Sequence, residues 1–262
     1  MLDMMEKLLN NKYSVTAPEL PLPPGKPAII FVHGAGGSHM MWLGQLAYFK
    51  KDFNPMAVDL PGHALSPEPA CMAVKDYADF VLGAADALGL DKFFLVGLSM
   101  GGAISQYIAL HSPGRLLGLV LMSTGARLKV MPEIFKMIRE NWEAYLKLFP
   151  TFAFGKNAPP AVVEQSLKEL AKCEPKSAEC DFMACDAFNV QEEVKNIKTP
   201  TLIISAADDR LTPPKYSDFL HSQIDGSQLV RISDAGHIVN LEKPNEVNHA
   251  LRDFFRSLLE KK

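Results

Sequence analysis

The chain has 262 residues, 48% hydrophobic and 22% charged, and 27 Lys and Arg against 30 Asp and Glu leave a formal charge of −3. Such a composition suits a globular protein with enough apolar residues for one large α/β domain or two small ones. So even a charge balance argues against nucleic acid as the main partner, because phosphate binding needs a concentrated basic surface. No apolar stretch reaches the roughly 18 residues a membrane-spanning helix requires.

Taken in chain order, residues 1–9 read as a short amphipathic helix docked on the domain. Asp3 and Glu6 lie there, and no basic cluster precedes a long apolar run, so a secretion signal is not expected. Residues 17–27 hold five prolines and read as an extended lead-in. Short, β-branched apolar runs follow at 28–32, 55–58, 93–96, 116–122, 201–204 and 228–232, the pattern of strands buried on both faces. Helical patterns lie between them. Tyr77, Phe80, Val81, Ala84, Ala85 and Leu88 recur at helical spacing before Gly89, and Val247, Leu251, Phe254, Phe255 and Leu258 form the last stripe. Strands alternating with helices predict a mostly parallel, doubly wound α/β sheet.

One interval breaks that rhythm. Residues 125–197 hold only helix-like segments, the clearest at 132–149 and 161–173. Helices inserted between two buried strands predict a core formed by 1–124 and 198–262 with a helical lid at 125–197. Cys71, Cys173, Cys180 and Cys185 show no paired C-x-x-C spacing, so reduced thiols and a cytoplasmic location are expected.

The pattern richest in chemistry is Gly97-Leu98-Ser99-Met100-Gly101-Gly102, placed directly between a strand and a helical pattern. A serine lifted onto such a corner is driven to positive φ, which strains any residue bearing a Cβ. Neighbours two before and two after would collide with it unless both lack side chains, a need that Gly97 and Gly101 meet. The same corner aims the Met100 amide into the site from a helix N-terminus, where it can donate to an oxyanion. The bland alternative is a glycine turn with a helix-capping serine.

His33-Gly34-Ala35-Gly36-Gly37 follows the strand at 28–32. It fails as a dinucleotide fingerprint, because the glycine required three residues after Gly36 is His39. Gly25-Lys26 fails as a phosphate loop, because Pro27 follows it and Leu20 stands five residues earlier. What remains is a loop whose backbone can approach a ligand closely. In an acyl-transfer enzyme it supplies the second oxyanion donor, the Ala35 amide.

A nucleophilic serine needs a base, and the base an orienting acid. Among seven histidines, His237 follows the last buried strand in Ser233-Asp234-Ala235-Gly236-His237, where sheet proteins of this kind bind ligands. His33 and His63 read as hydrogen-bonding struts, whereas His111, His221 and His249 lie on predicted helix faces. The acid follows the preceding strand, in Asp208-Asp209-Arg210-Leu211-Thr212-Pro213. Residue chemistry alone does not separate the two carboxylates, since one could face the histidine while the other caps the helix near Pro213.

Five elements in order, His33 to Gly37, Asp59-Leu60-Pro61-Gly62-His63, Gly97 to Gly102, Asp209 to Pro213 and Gly236-His237, resemble the α/β-hydrolase family, and its small, lidded serine esterases and lactonases in particular. The resemblance implies Ser99 as nucleophile, His237 as base and the amides of Ala35 and Met100 as oxyanion hole. His33, Gly34, Gly36, Gly97 and Gly101 would then form the supporting loops. The family's acid commonly stands four residues before a proline, which favours Asp209. Haloalkane dehalogenases and epoxide hydrolases of this fold carry aspartate where Ser99 stands, and are disfavoured.

The chain departs from the family pattern in Ala64-Leu65-Ser66 and Ser205-Ala206. The space before Ala28 looks too short for the full leading hairpin, so one or two of its strands are expected to be missing. No cofactor and no metal is expected. The leading reading is hydrolysis of an uncharged, small to medium carboxylic ester through an acyl-enzyme, by a monomer or homodimer with a small molecule as its only partner. An enol-lactonase or C–C hydrolase with the same residues is the alternative within the class. A ligand receptor or scaffold that keeps the fold without turnover is the alternative outside it.

Overall fold

The computed structural model describes residues 4–260. Strands β1 (Met5–Leu9) and β2 (Tyr13–Ala17) form an antiparallel hairpin. They are followed by β3 (Ala28–Val32), α1 (Leu43–Phe49), β4 (Asn54–Asp59), α2 (Val74–Ala87), β5 (Phe93–Leu98), α3 (Met100–His111) and β6 (Leu116–Met122). Helices α4 (Pro132–Glu140), α5 (Trp142–Ala153), α6 (Pro160–Leu170) and α7 (Pro175–Ala187) intervene before the next strand. The chain closes with β7 (Thr201–Ala206), α8 (Pro214–Gln223), β8 (Gln228–Ile232), α9 (Val239–Glu242) and α10 (Pro244–Leu259). The strands form one eight-stranded sheet in the order β1-β2-β4-β3-β5-β6-β7-β8, parallel from β4 to β8.

Alternation along each central strand feeds two cores. Ile29 and Phe31 of β3 pack on one face with Trp42, Phe49, Phe94 and Phe255, while Ile30 and Val32 pack on the other with Tyr77, Val81 and Ile104. Because every β3 residue is buried, the strand reads as an unbroken apolar run. A third, smaller cluster of Ile134, Ile138, Tyr145 and Leu170 holds the inserted helices together. The two legs of that insertion are zipped at its base, where Val190 N–H donates to Ala126 C=O at 2.8 Å and Arg127 bridges Asn189.

Two expectations fail at the N-terminus. Met5–Leu9 is an edge strand rather than a helix (residues 1–3 of the expected helix lie outside the described residues), and the leading hairpin is complete. Asn10 and Asn11 both adopt φ 52°, and Lys12 N–H donates to Leu9 C=O at 2.9 Å. Asparagine tolerates the left-handed region that such a tight turn demands, so two short strands fit where a longer connection would not. Once Val15 and Thr16 are buried beside β4, pairing with β2 outweighs the helical preference of residues 5–9. A third difference lies in the insertion. The helix expected over 132–149 is two helices, broken at Asn141, whose side chain caps α5 by accepting from Ala144 N–H at 3.0 Å. Helix α5 then continues past Pro150 to Ala153.

The core face of α10 depends on Phe255, which is fully buried with its ring 4.5 Å from that of Phe94. Phe255→Ala should therefore lower the unfolding free energy by about 3–5 kcal/mol. Urea unfolding should show this as a lower midpoint with an unchanged slope.

Candidate active site

Ser99 stands between β5 and α3 at φ 57°, ψ −117°. Its conformation is fixed from both sides. Ser99 N–H donates to Met122 C=O at 3.0 Å, and Thr124 Oγ1 donates to Ser99 C=O at 2.8 Å. The two glycines serve different contacts. From the sequence, both glycines are expected to avoid a collision with Ser99; instead a Cβ on Gly97 would land on the Gly101 carbonyl, and a Cβ on Gly101 would land on the Val32 carbonyl at the end of β3. Gly101 therefore lets the N-terminus of α3 abut the neighbouring strand. Met100, the first residue of α3, carries one of the amides that a helix start leaves without an intrahelical acceptor.

The second loop is set by His33. Its Nε2 accepts from Leu60 N–H at 3.0 Å, so the ring proton sits on Nδ1, which donates to Gly34 C=O at 2.8 Å. Gly37 N–H donates to the same carbonyl at 3.0 Å. In a trans peptide the N–H points opposite to the C=O, so pinning the Gly34 carbonyl turns the Ala35 N–H the other way. Burial, reinforced by the charge of His63 whose ring lies 5.0 Å away, pushes His33 down to about 4. The strut is thus a neutral imidazole through the neutral pH range. A Cβ on Gly34 would stand 3.1 Å from Ser99 Cβ, which shows how closely the loop packs on the serine.

His237 follows β8, and its Nδ1 lies 2.9 Å from Asp209 Oδ2. Both side chains are buried. Asp209 Oδ1 accepts from the amides of Leu211 and Thr212, each at 2.9 Å, and Thr212 Oγ1 donates to Oδ2 at 2.8 Å. Burial alone would raise this carboxyl, but the His237 charge and the bonds from His237 and Thr212 outweigh it and hold Asp209 below the usual carboxylate value. Asp208 is exposed, and its N–H donates to Ala235 C=O at 2.9 Å, joining the acid loop to the histidine loop. Asp209 is the carboxylate that faces the ring, and it also accepts from the amides of its own turn; the capping role expected of its neighbour is not filled, because α8 starts after Pro213 with no side-chain cap bond.

Thr212 and Glu242 were not singled out by the sequence. Glu242 is buried, and its two oxygens accept from Gly236 N–H at 3.0 Å and Gly155 N–H at 2.9 Å. It joins the histidine loop to the end of α5, where Ala153 C=O also accepts from His237 N–H at 2.8 Å. Burial raises its carboxyl above the usual value, the two amides opposing and the Asp209 charge adding to the rise.

Ser99, Ala35 and His237 line one cavity of about 810 Å³, within the range of small-molecule sites. From the insertion, the aromatic side chains of Tyr145, Phe149, Phe152 and Phe182 also line it. Lys129, Arg210 and Lys215 also line it but are exposed, which puts them at the rim. Among the described residues no three His, Cys, Asp or Glu side chains gather as metal ligands, and no helix is long and apolar enough to cross a membrane.

The alpha/beta hydrolase family pattern matches residues 29–250. The chain belongs to that family. It is similar to 3-oxoadipate enol-lactonase 2 of Acinetobacter baylyi, with 28% identity covering 86% of this chain and 87% of that protein. Among solved structures it resembles the enol-lactonase of Burkholderia xenovorans, at 25% identity and a TM-score of 0.88 over 96% of this chain and all of the other (100%). It also resembles a thermophilic esterase, at 31% identity and a TM-score of 0.83 over 98% of this chain and 99% of that one. The fold is the α/β-hydrolase fold, and the chain is a hydrolase of that family.

The Asp209–His237 contact yields two expectations. Asp209→Asn should lower kcat on an activated ester by roughly 10⁴-fold, as loss of the orienting acid does in serine hydrolases. Asp208→Asn should leave kcat within about threefold, because no imidazole depends on it; equal losses would reverse the assignment. A depressed carboxyl contributes stability that is fully present above its unfolded value, near 3.8, and is lost as pH falls through the lower folded value. Melting temperatures measured from pH 5 down to pH 2 should therefore fall less steeply for Asp209→Asn than for the native chain.

Proposed function

We propose that the chain hydrolyses carboxylic esters by a two-step acyl-enzyme mechanism, with Ser99 as nucleophile, His237 as general base and acid, and Asp209 as the orienting acid. The observation that carries the reading is the contact of His237 Nδ1 with Asp209 Oδ2 at 2.9 Å on the cavity that Ser99 also lines. A proton held on Nδ1 leaves the Nε2 lone pair to take the Ser99 hydroxyl proton as the oxygen attacks the carbonyl. Negative charge then develops on the carbonyl oxygen, where the Ala35 and Met100 amides stabilise it. The imidazolium returns its proton to the leaving alcohol. A water activated by the same ring releases the acid and restores Ser99. Asp209 stays ionised throughout and stabilises the charged ring.

The insertion acts as the lid and sets substrate choice. Its Tyr145, Phe149, Phe152 and Phe182 give the inner wall an apolar surface, and the stretch 125–197 balances ten Lys and Arg against eleven Asp and Glu. Such a wall suits an uncharged acyl group of small to medium size, because a buried charge there would find no partner. The enol-lactonase relatives favour one further reading, a cyclic ester opened by the same residues.

Ser99→Ala should lose at least about 10³-fold in kcat on p-nitrophenyl esters while still binding them; near-native turnover would overturn the mechanism. Across the acetate-to-palmitate series, kcat/KM should peak between roughly two and eight acyl carbons, since each added methylene helps only until the cavity is filled. A charged dicarboxylic half-ester should be poor. A maximum at long chains, or preference for the half-ester, would show that the lid selects differently.

A further inference from the structure

The turn Asp59-Leu60-Pro61-Gly62-His63, whose Leu60 amide holds the His33 ring, also packs against a buried carboxylate of the insertion. Asp181, on α7, is fully buried. Its Oδ2 accepts from Gly36 N–H at 2.8 Å, and its Oδ1 accepts from the Tyr77 hydroxyl. His63 Nε2 lies 3.0 Å from Oδ2, an ion pair rather than an aligned hydrogen bond, while His63 Nδ1 sits 3.0 Å from Pro61 C=O. Both ring nitrogens thus face acceptors, which suits the doubly protonated imidazolium. Burial alone would lower the His63 ring, but the Asp181 charge outweighs it and raises the ring well above its ordinary value. The insertion touches the same loop a second time, since a Cβ on Gly36 would stand 2.8 Å from Leu170 Cδ1 at the end of α6.

Ala35 lies between two peptide planes. The plane before it is held through the Gly34 carbonyl, by His33 and Gly37 of the core. The plane after it is held through the Gly36 N–H, by Asp181 of the insertion. The Ala35 N–H belongs to the first plane, so the Gly34 carbonyl sets its direction; fixing the second plane as well pins the backbone angles of Ala35 and leaves the loop no compensating rotation by which the first plane could swing. We infer that Asp181 is a positioning residue for the oxyanion hole, held by His63 and Tyr77, through which the helical insertion sets the Ala35 amide.

This rests on the proposed role of the Ala35 amide, and it goes further by making the oxyanion hole depend on how α7 is docked. An oxyanion donor acts only on the transition state, so its displacement should appear in kcat and leave KM nearly unchanged. Loss of one whole donor costs about 10²–10³-fold, so loosening one by Asp181→Ala should lower kcat by roughly 10–100-fold, with KM within about threefold. Asp181→Asn keeps one acceptor oxygen and nearly the native shape, and should fall between Ala and the native chain.

The deciding measurement is the inhibition constant of an alkyl trifluoromethyl ketone, whose hemiketal oxyanion occupies the hole. It is compared with that of the matching secondary alcohol, which places no oxyanion there, in the native chain and both variants. Ketone affinity should fall by the same factor as kcat/KM while alcohol affinity holds. Unchanged ketone affinity in the folded Asn variant, or parallel losses for ketone and alcohol, would overturn the inference. Ser99→Ala measured alongside separates the two readings. If that variant still turns over ester, the proposed mechanism itself has failed. If it is inactive while the Asp181 variants bind ketone like the native chain, only the role of Asp181 has failed.

Discussion

The site depends on one close approach, that of the first turn of α3 to the end of β3. Gly101 lies against the Val32 carbonyl, and Gly97 lies against the Gly101 carbonyl, so any side chain at either position would push the helix off the sheet. This crowding holds Ser99 at φ 57°, a conformation costing of order 1–3 kcal/mol that persists only because its surroundings enforce it. The strain has a use. It lifts the hydroxyl off the strand end, and it leaves the Met100 amide at the helix start, where the helix dipole already favours negative charge. Met122 C=O and the Thr124 hydroxyl complete the enforcement from β6 and the residues after it, so three adjacent strands together define one serine.

Around that serine, two histidines are held in the same tautomer by different neighbours. His33 is buried beside His63 and bonded at Nε2 by a backbone donor, so it remains neutral with its proton on Nδ1. His237 also carries its proton on Nδ1, but there the acceptor is a carboxylate held ionised by three donors of its own turn. A neutral strut suits a loop that must keep its shape through the reaction. A ring backed by a carboxylate suits a group that must gain and lose a proton. Glu242 adds a tie of another kind, spanning the histidine loop and the end of α5, so the insertion is fastened beside His237 as well as beside the loop that holds Gly36.

Local chemistry made much of this legible in the sequence. The bounds of β3, β6 and β8 coincide with the runs at 28–32, 116–122 and 228–232; β3 and β6 are apolar and buried almost throughout, whereas β8, expected to be buried on both faces, is an edge strand with Gln228 and Arg231 exposed. Ser99, Asp209 and His237 stood out because each lies in the loop or turn that leaves the carboxyl end of a strand, β5, β7 and β8 in turn. The elements misread were those in which a side chain caps or turns the backbone. Asn10-Asn11 makes a hairpin from an apparent helix, and Asn141 splits one helix into two, although both signals were present as asparagine placed at a boundary. Asp181 and Glu242 gave no signal of this kind. Gly36 is 145 positions from Asp181 and Gly155 is 87 positions from Glu242, so only the folded chain brings them together. An isolated Asp or Glu in a helical pattern reads as a solvated residue.

The central claim is that a covalent ester at Ser99 lies on the reaction path, and trapping that intermediate tests it most directly. The protein is mixed with excess p-nitrophenyl butyrate, quenched in acid within the first turnovers, and digested for mass spectrometry. One butyryl group should be found on the peptide that contains Ser99, accumulating in step with a burst of p-nitrophenol. Butyryl found only on another residue, or steady turnover with no acylated peptide at any quench time, would contradict the claim.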